Sequence, residues 1–216
     1  MLGALQLAFI DSVNLLLIGV IVAVGIAARS NYAKTTALLI AGDWCGVAGL
    51  ALIMLVIFDG LGPVVQRFVE GPVFGILLIA TGVLTAVLAV RGGDNQALVQ
   101  KIMRPLHTPG PATVGTGVVL GLIQSATSLP FYGGLALLSA AGVDAQVRYA
   151  AIPLYATVAL SLPTLAALAV GWVRAKPDSA AARGFDWARA HPDQVTAAAT
   201  WSVAVLLIVL GVTHVV

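Results

Sequence analysis

Long apolar runs separated by short polar links make up most of this 216-residue sequence. A helix needs about 20 apolar residues to cross the hydrocarbon core of a bilayer. The runs are continuous and do not alternate with period two, which favours helices over strands. We predict six membrane-spanning helices, at residues 4–28, 36–58, 71–91, 113–141, 149–173 and 195–215.

The composition agrees with this pattern. Sixty per cent of the residues are hydrophobic and 9% are charged, whereas a soluble domain is about one quarter charged. The chain is therefore predicted to be all-α, a single membrane domain spanning residues 1–216. Motifs of nucleotide-binding loops, serine hydrolases and zinc peptidases are absent from the sequence. We expect no enzymatic activity, no cofactor, no metal and no nucleic-acid partner.

The distribution of basic residues predicts an orientation. The links after the first, third and fifth predicted helices hold nine of the eleven Lys and Arg residues. Because Lys and Arg concentrate in cytoplasmic loops, these three links are predicted to be cytoplasmic. We therefore expect a multi-pass protein of the plasma membrane with both termini on the extracytoplasmic side.

The sequence also contains a weak internal repeat. A shift of 113 residues sets LAFIDSVN at 7–14 against LGLIQSAT at 120–127, and a shift of 129 sets ILLIATGV at 76–83 against VLLIVLGV at 205–212. Because each repeat holds three helices, the two repeats are predicted to cross the membrane in opposite orientations, as in many secondary transporters. This 3+3 inverted repeat consists of repeat one at about 1–91, a cytoplasmic linker at about 92–112 and repeat two at about 113–216.

Two acidic residues interrupt the apolar runs. Asp11 lies inside the first predicted helix, and Asp43 lies in GDWCG near the start of the second. A charged side chain at membrane depth costs at least about 2.5 kcal/mol, so such residues are rare and usually functional. A purely structural role in helix packing stays open for both carboxylates.

Polar residues that recur in the two repeats predict a shared site at the membrane midplane. Asp11 and Asn14 are three residues apart, and so are Gln124 and Thr127, so each pair shares a helix face. Small hydroxyl residues also serve close helix packing, and that alternative stays open for the serines and threonine. The predicted substrate- or ion-binding residues are Asp11, Ser12, Asn14, Asp43, Gln124, Ser125, Thr127 and Ser128.

Four further features carry smaller expectations. The motif Gly42-x-x-x-Gly46 and most other glycines in the apolar runs predict close helix packing. Cys45, the one cysteine, is expected to be an inert small apolar residue, while Trp44 is either an interfacial anchor or a pocket wall. The segment FDWARA at 185–190 is either a short amphipathic helix at the membrane surface or a plain loop.

These residues resemble a known family. The D-S-x-N cluster of AFIDSVN, its counterpart in the fourth helix, LLIATGVLTAVLAVR, and the FDWARAHPDQ and LLIVLGV stretches are similar to the lysine exporter superfamily. Within it, the likeness is to the actinobacterial sulfolipid-1-addressing or glycolipid-addressing (GAP) proteins. Leu15 stands where a proline often follows the Asn in that superfamily, which leaves open whether the first helix is broken.

The resemblance implies a small exporter of a solute or a cell-envelope (glyco)lipid, coupled to protons or ions through Asp11. The alternative is an accessory subunit that binds a partner lipid-synthesis or export machine without transporting by itself. Expected partners are membrane lipids and a small-molecule or lipid substrate; a protein partner and a second copy of the chain stay open. The related thiol electron carriers need two membrane cysteines, and Cys45 alone excludes that function.

Overall fold

The computed structural model describes residues 2–27, 31–72, 74–77, 79–80, 104–106, 108–176 and 178–191, together with residues 83, 87, 194, 201, 205, 208, 209 and 212. Within these ranges every regular element is a helix and no strand occurs, which confirms the all-α prediction. The third and sixth predicted helices, and most of the linker, lie largely outside the described residues. The described α-helices are α1 Leu2–Asp11, α2 Leu15–Ala27, α3 Tyr32–Gly60, α4 Gly62–Glu70, α5 Pro111–Ala126, α6 Leu129–Ser139, α7 Ala145–Ala150, α8 Ile152–Ala159, α9 Ser161–Ala175 and α10 Ala180–Ala190; a 3₁₀ helix covers Arg104–Leu106.

Among the described helices, α3 alone is long and apolar enough to cross a membrane as one straight piece. Three bent pairs reach the same length together: α1 with α2 at 48°, α5 with α6 at 77°, and α7–α8 with α9 at 42°. The predicted segments 4–28, 113–141 and 149–173 are therefore broken helices and not continuous ones. By length and composition, the described chain contains up to four spans.

The breaks follow from local chemistry. Pro130 and Pro163 each lie four residues after the last residue of the preceding helix, Ala126 and Ala159. A proline lacks the N–H and its ring clashes with the carbonyl four residues earlier, so a helix cannot continue through it undisturbed. The α1–α2 break has no proline. There the side chain of Asn14 accepts the N–H of Leu17 at 3.0 Å, a cap that starts a new helix.

The two broken spans match the internal repeat. Asn14 precedes α2 and Ser128 precedes α6, so the caps lie 114 residues apart, one residue from the 113-residue shift of the sequence repeat. The second spans differ, because α3 is unbroken at Val47, the counterpart of Leu160 between α8 and α9. The two segments therefore agree in shape at the first break and differ in shape at the second.

Helices α3 and α5 cross at close range. A Cβ atom on Gly42 would meet the carbonyl oxygen of Val114, and one on Gly121 would meet the carbonyl oxygen of Asp43. Backbone in direct contact at such a crossing is typical of small-xxx-small motifs in membranes. Close packing is thus confirmed for this motif, whereas Gly19 and Gly49 face open space, so the expectation was wrong there.

Further contacts join the N-terminal helices to the C-terminal ones. Helix α1 packs against α6 and α8, and α2 packs against α9. One core cluster lies among α1, α6, α8 and the second half of α3, and another lies among α2, α9 and the first half of α3. The polar segments that interrupt α1–α2 and α5–α6 lie between these clusters.

Two short helices flank the bundle. Helix α10 includes the FDWARA segment, which confirms its helical alternative, and its Trp187 stacks on His191 with ring centroids 4.9 Å apart. Helix α4 was not predicted; Pro63 in its first turn suits a helix start because the missing N–H would have no partner there.

Candidate functional site

A polar cavity of about 250 Å³ lies where the two helix breaks meet. Its apolar wall comes from Val47 on α3 and from Ala159 and Leu160 at the bend of the fifth predicted span. Its polar wall consists of Asp11, Asn14, Gln124, Ser125, Thr127 and Ser128. The structure thus confirms the expected proximity of the first-helix cluster to the 124–128 segment.

One chain of hydrogen bonds runs from the start of α2 to Asp43. The backbone N–H of Leu17 is accepted by the Asn14 side chain, whose Nδ2 donates to Gln124 Oε1. Gln124 Nε2 then donates to both carboxylate oxygens of Asp43, at 2.8 and 2.9 Å. Each amide in this chain donates in one direction, so Asp43 is the acceptor at its end.

A second chain runs from the start of α6 to Asp11. The N–H of Phe131 is accepted by Ser128 Oγ at 3.2 Å, and the same hydroxyl donates to Asp11 Oδ1. Both chains therefore begin at a helix N-terminus, continue through the polar residue that caps it and end at a carboxylate; the first chain also passes through Gln124. Because each helix N-terminus carries about half a positive charge, both chains direct partial positive charge toward an acidic side chain.

Two predicted site residues lie beside the cavity and not on its wall. Asp43 is fully buried and reaches the site through Gln124. Ser12 is also fully buried, and its hydroxyl donates to the carbonyl of Phe9 at 2.5 Å. Bonding to the preceding turn is a common local use of serine, and here it occupies the Ser12 hydroxyl.

The two remaining hydroxyls on the cavity wall differ from each other. Thr127 Oγ1 donates to backbone carbonyls of the preceding turn, at 3.0 Å to Ile123 and 3.1 Å to Gln124. Ser125 Oγ is buried and has no hydrogen-bond partner in the described part of the chain. Since buried polar atoms almost always find a partner, Ser125 offers an unused donor and acceptor to whatever occupies the cavity.

The site holds acidic groups without basic ones. In the described part of the chain, Arg148 forms an ion pair with Asp59 at 3.0 Å, and neither residue lines the cavity. Carboxylates in a low-dielectric interior need compensation by hydrogen bonds, a proton or a cation. The arrangement can therefore bind and release a proton or a small cation beside a hydrogen-bonding ligand. No group of three potential metal ligands was found in the described part.

Sequence reasoning did not predict a second, apolar pocket beside this site. Trp44, next to Asp43 in sequence, lines a groove between α3 and α9 and donates from Nε1 to Thr157 Oγ1 at 3.2 Å. This favours the pocket-wall alternative for Trp44. Cys45 is a free, exposed thiol in the same groove. Apolar residues carry no sequence signal that separates a groove from a packed helix face.

Broken apolar helices around a polar cavity define a helical membrane protein with a polar site where the helix breaks meet. The family model of Sap, the sulfolipid-1-addressing protein, matches residues 5–213, and the chain belongs to this family. No curated protein and no solved structure matches it. The matched range includes every residue of the cavity.

Proposed function

We propose that this chain is a small secondary carrier of the plasma membrane, built from six spans as a 3+3 inverted repeat. It moves a small solute or a cell-envelope (glyco)lipid, and it couples this movement to a proton or cation at Asp11. The family name points to a sulfolipid. The resemblance to the lysine exporter superfamily supports the same class of function.

One observation carries the proposal: Asp11 of repeat one accepts a hydrogen bond from Ser128 of repeat two in a cavity between the repeats. Carriers of inverted-repeat architecture bind substrate and coupling ions at such a junction, beside discontinuous helices. Here both discontinuous spans contribute a capping residue to the cavity, Asn14 and Ser128.

The hydrogen bonds suggest how occupancy of the site acts on the helices. In the structure Asp11 Oδ1 accepts a hydrogen bond from the Ser128 hydroxyl. A proton or cation that binds at Asp11 Oδ1 displaces this hydroxyl. Ser128 also caps α6, so the change is felt at the start of a helix in the other repeat. Ligand binding at the junction thereby alters the contact between repeats, which is the requirement for alternating access.

Proteoliposomes containing the purified chain test this proposal. We would measure the movement of a fluorescent sulfated glycolipid together with the lumenal pH. Asp11→Asn keeps the size of the side chain and removes its titration, so we expect normal folding with loss of transport or of its pH dependence. Asp178→Asn, at an exposed position outside the bundle, is the matched control. Wild-type transport and pH profile in Asp11→Asn would contradict the proposal.

The word "addressing" in the family description favours a second candidate, an accessory subunit that binds a lipid-synthesis or export machine. Purification at native abundance separates the two functions. A stoichiometric protein partner, with no lipid movement by the chain alone, supports the accessory role. Movement by the chain alone supports the carrier.

The proposed orientation has its own test. Single cysteines placed between Asp59 and Pro63 and at both termini are expected to react with a membrane-impermeant reagent added from outside. Cysteines between Gly92 and Thr108 are expected to stay unlabelled. Outside labelling of residues 92–108 would overturn the orientation and the assignment of inverted repeats.

A further inference from the structure

A groove of about 810 Å³ lies between the first half of α3 and α9. We call it the α3–α9 groove. Its size falls within the usual range of ligand pockets, about 300–1,000 Å³. Its lining includes Tyr32, Ala37, Ala41, Trp44, Leu168 and Trp172.

The shape of the groove suits an alkyl chain. Its lining on α3 includes the small side chains Ala33, Ala37 and Ala41, at the four-residue spacing of one helix face, beside Thr36 and Ile40. Trp44 lies at one end, and Tyr32 and Trp172 lie at the other. From Ala33 to Cys45 the helix rises about 18 Å, close to half of the roughly 30 Å hydrocarbon core. The groove therefore has the length of one leaflet.

Two cations lie at the aromatic end of the groove. The Arg174 guanidinium is 5.1 Å from the ring centroid of Tyr32, and the Lys176 ammonium is 5.9 Å from that of Trp172. Arg174 also donates to the carbonyl of Gly25, which fixes its position. An apolar groove with two basic side chains at one end is complementary to a molecule with a long apolar chain and an anionic head.

We propose that the α3–α9 groove binds an acyl chain of an anionic membrane lipid, whose headgroup contacts Arg174 and Lys176. This deepens the proposed function, because it names the site that holds the lipid. It rests on the proposed function only where the lipid is called a substrate. The far end of the groove supports the connection, because Trp44 follows Asp43, which is bound by Gln124 of the polar cavity.

Tryptophan fluorescence provides the test. In a variant with Trp187 and Trp201 replaced by Phe, the two remaining tryptophans are Trp44 and Trp172, and both line the groove. The full-length protein in detergent is titrated with phosphatidylglycerol or phosphatidylcholine carrying brominated acyl chains, which quench indole fluorescence on contact. We expect saturable quenching with about 25-fold tighter binding of phosphatidylglycerol, since each of the two basic residues near the headgroup adds roughly a fivefold preference for anionic lipid.

Matched variants locate the binding. Ala41→Phe fills the groove and is expected to abolish saturable quenching, whereas Ile53→Phe, on an exposed part of α3 outside the groove, leaves it unchanged. Lys176→Gln is expected to reduce the preference for phosphatidylglycerol about fivefold. Equal, non-saturating quenching by both lipids, or unchanged quenching in Ala41→Phe, would overturn the proposal.

Asp11→Asn keeps this test separate from that of the carrier function. This variant is expected to bind phosphatidylglycerol like the wild type, because Asp11 is not part of the groove. If groove binding fails while wild-type transport depends on Asp11, the groove assignment is wrong and the carrier function stands. If binding succeeds and the chain transports nothing, the groove is a lipid site of a non-transporting protein.

Discussion

The two halves of α3 meet the second repeat in opposite ways. The second half packs into a dense core with α6 and α8, in which Leu55, Ile152 and Tyr155 are almost completely buried. The first half contacts α9 through Tyr32 and beside that contact borders the open α3–α9 groove. We call these two regions the closed interface and the open interface.

The internal repeat makes these regions comparable residue by residue. Leu55 at the closed interface corresponds to Leu168 at the open interface under the 113-residue shift. The first is 0% exposed and the second is 65% exposed. The same amino acid at equivalent positions is therefore buried on one side of the polar cavity and exposed on the other.

The polar contacts of the two interfaces also differ. At the open interface the Tyr32 hydroxyl donates to the carbonyl of Ala167 at 3.0 Å. At the closed interface Asp59 accepts hydrogen bonds from Ser139 at 2.7 Å and from Arg148 at 3.0 Å. The counterpart of Asp59 is Trp172, which lines the groove. Similar repeats with one closed and one open interface are what alternating access requires of a carrier in one of its two states. The asymmetry supports the proposed function and suggests where motion would occur.

The largest expected effect concerns the crossing that both interfaces share. In Gly121→Ala the new Cβ meets the backbone carbonyl of Asp43, which cannot move without separating α3 from α5. Overpacking of this kind typically costs up to about 3 kcal/mol, and we expect a loss of that size in the free energy of unfolding by SDS.

Gly115→Ala, on the same helix, is the control for that variant. Its Cβ meets nothing within 4 Å, so we expect unchanged or slightly higher stability, since Ala is the better helix former by about 1 kcal/mol. Equal stability of the two variants would show that the close crossing does not hold the repeats together.

The second prediction uses the equivalent leucines directly. Leu55→Ala leaves a cavity in a packed core, which typically costs about 2 kcal/mol or more. Leu168→Ala removes an exposed side chain and is expected to change the free energy of unfolding by less than about 0.5 kcal/mol. SDS titration of both variants checks this difference, and similar losses would mean that the groove is packed as tightly as the closed interface.

The sequence predicted the polar site better than it predicted the helices. Asp11, Asn14, Gln124 and Ser128 stand out because polar groups are rare in apolar runs, and their recurrence after 113 residues indicated that they meet. The break at Asn14 could not be predicted, because no proline marks it and a capping side chain has the same sequence appearance as a packed one.

The closed and open interfaces could not be predicted for a different reason. In a soluble protein an exposed face is polar, whereas in a membrane the lipid-facing and the buried faces are both apolar. Leu55 and Leu168 therefore look alike in the sequence, although one lies in the core and the other borders a groove.

A smaller effect is expected from the ion pair of the closed interface. Asp59→Asn keeps the shape of the side chain and removes the charge that pairs with Arg148. Partly exposed ion pairs contribute up to about 1 kcal/mol, so the closed interface should open more often. We expect faster thiol labelling of a cysteine at Ser139 in this variant, measured in a Cys45→Ala background.

Asp144→Asn is the matched control, since Asp144 is exposed and its side chain does not cap α7. The labelling rate of the cysteine introduced at Ser139 in Asp144→Asn should equal the rate in the protein that keeps both Asp59 and Asp144. Unchanged labelling in Asp59→Asn would show that the ion pair does not keep this interface closed.

Two spin-label distances, measured by pulsed electron paramagnetic resonance, test directly whether the closed and open interfaces exchange in a carrier cycle. One pair, Ile57→Cys with Val147→Cys, reports on the closed interface, and the other, Lys34→Cys with Ala175→Cys, reports on the open one. Each pair is introduced with Cys45→Ala and studied in lipid nanodiscs across a range of pH. Alternating access predicts two distances for each pair. The populations of these distances change with pH in opposite directions for the two pairs, and this pH dependence is lost in Asp11→Asn. A single distance for each pair, the same at every pH, would contradict it.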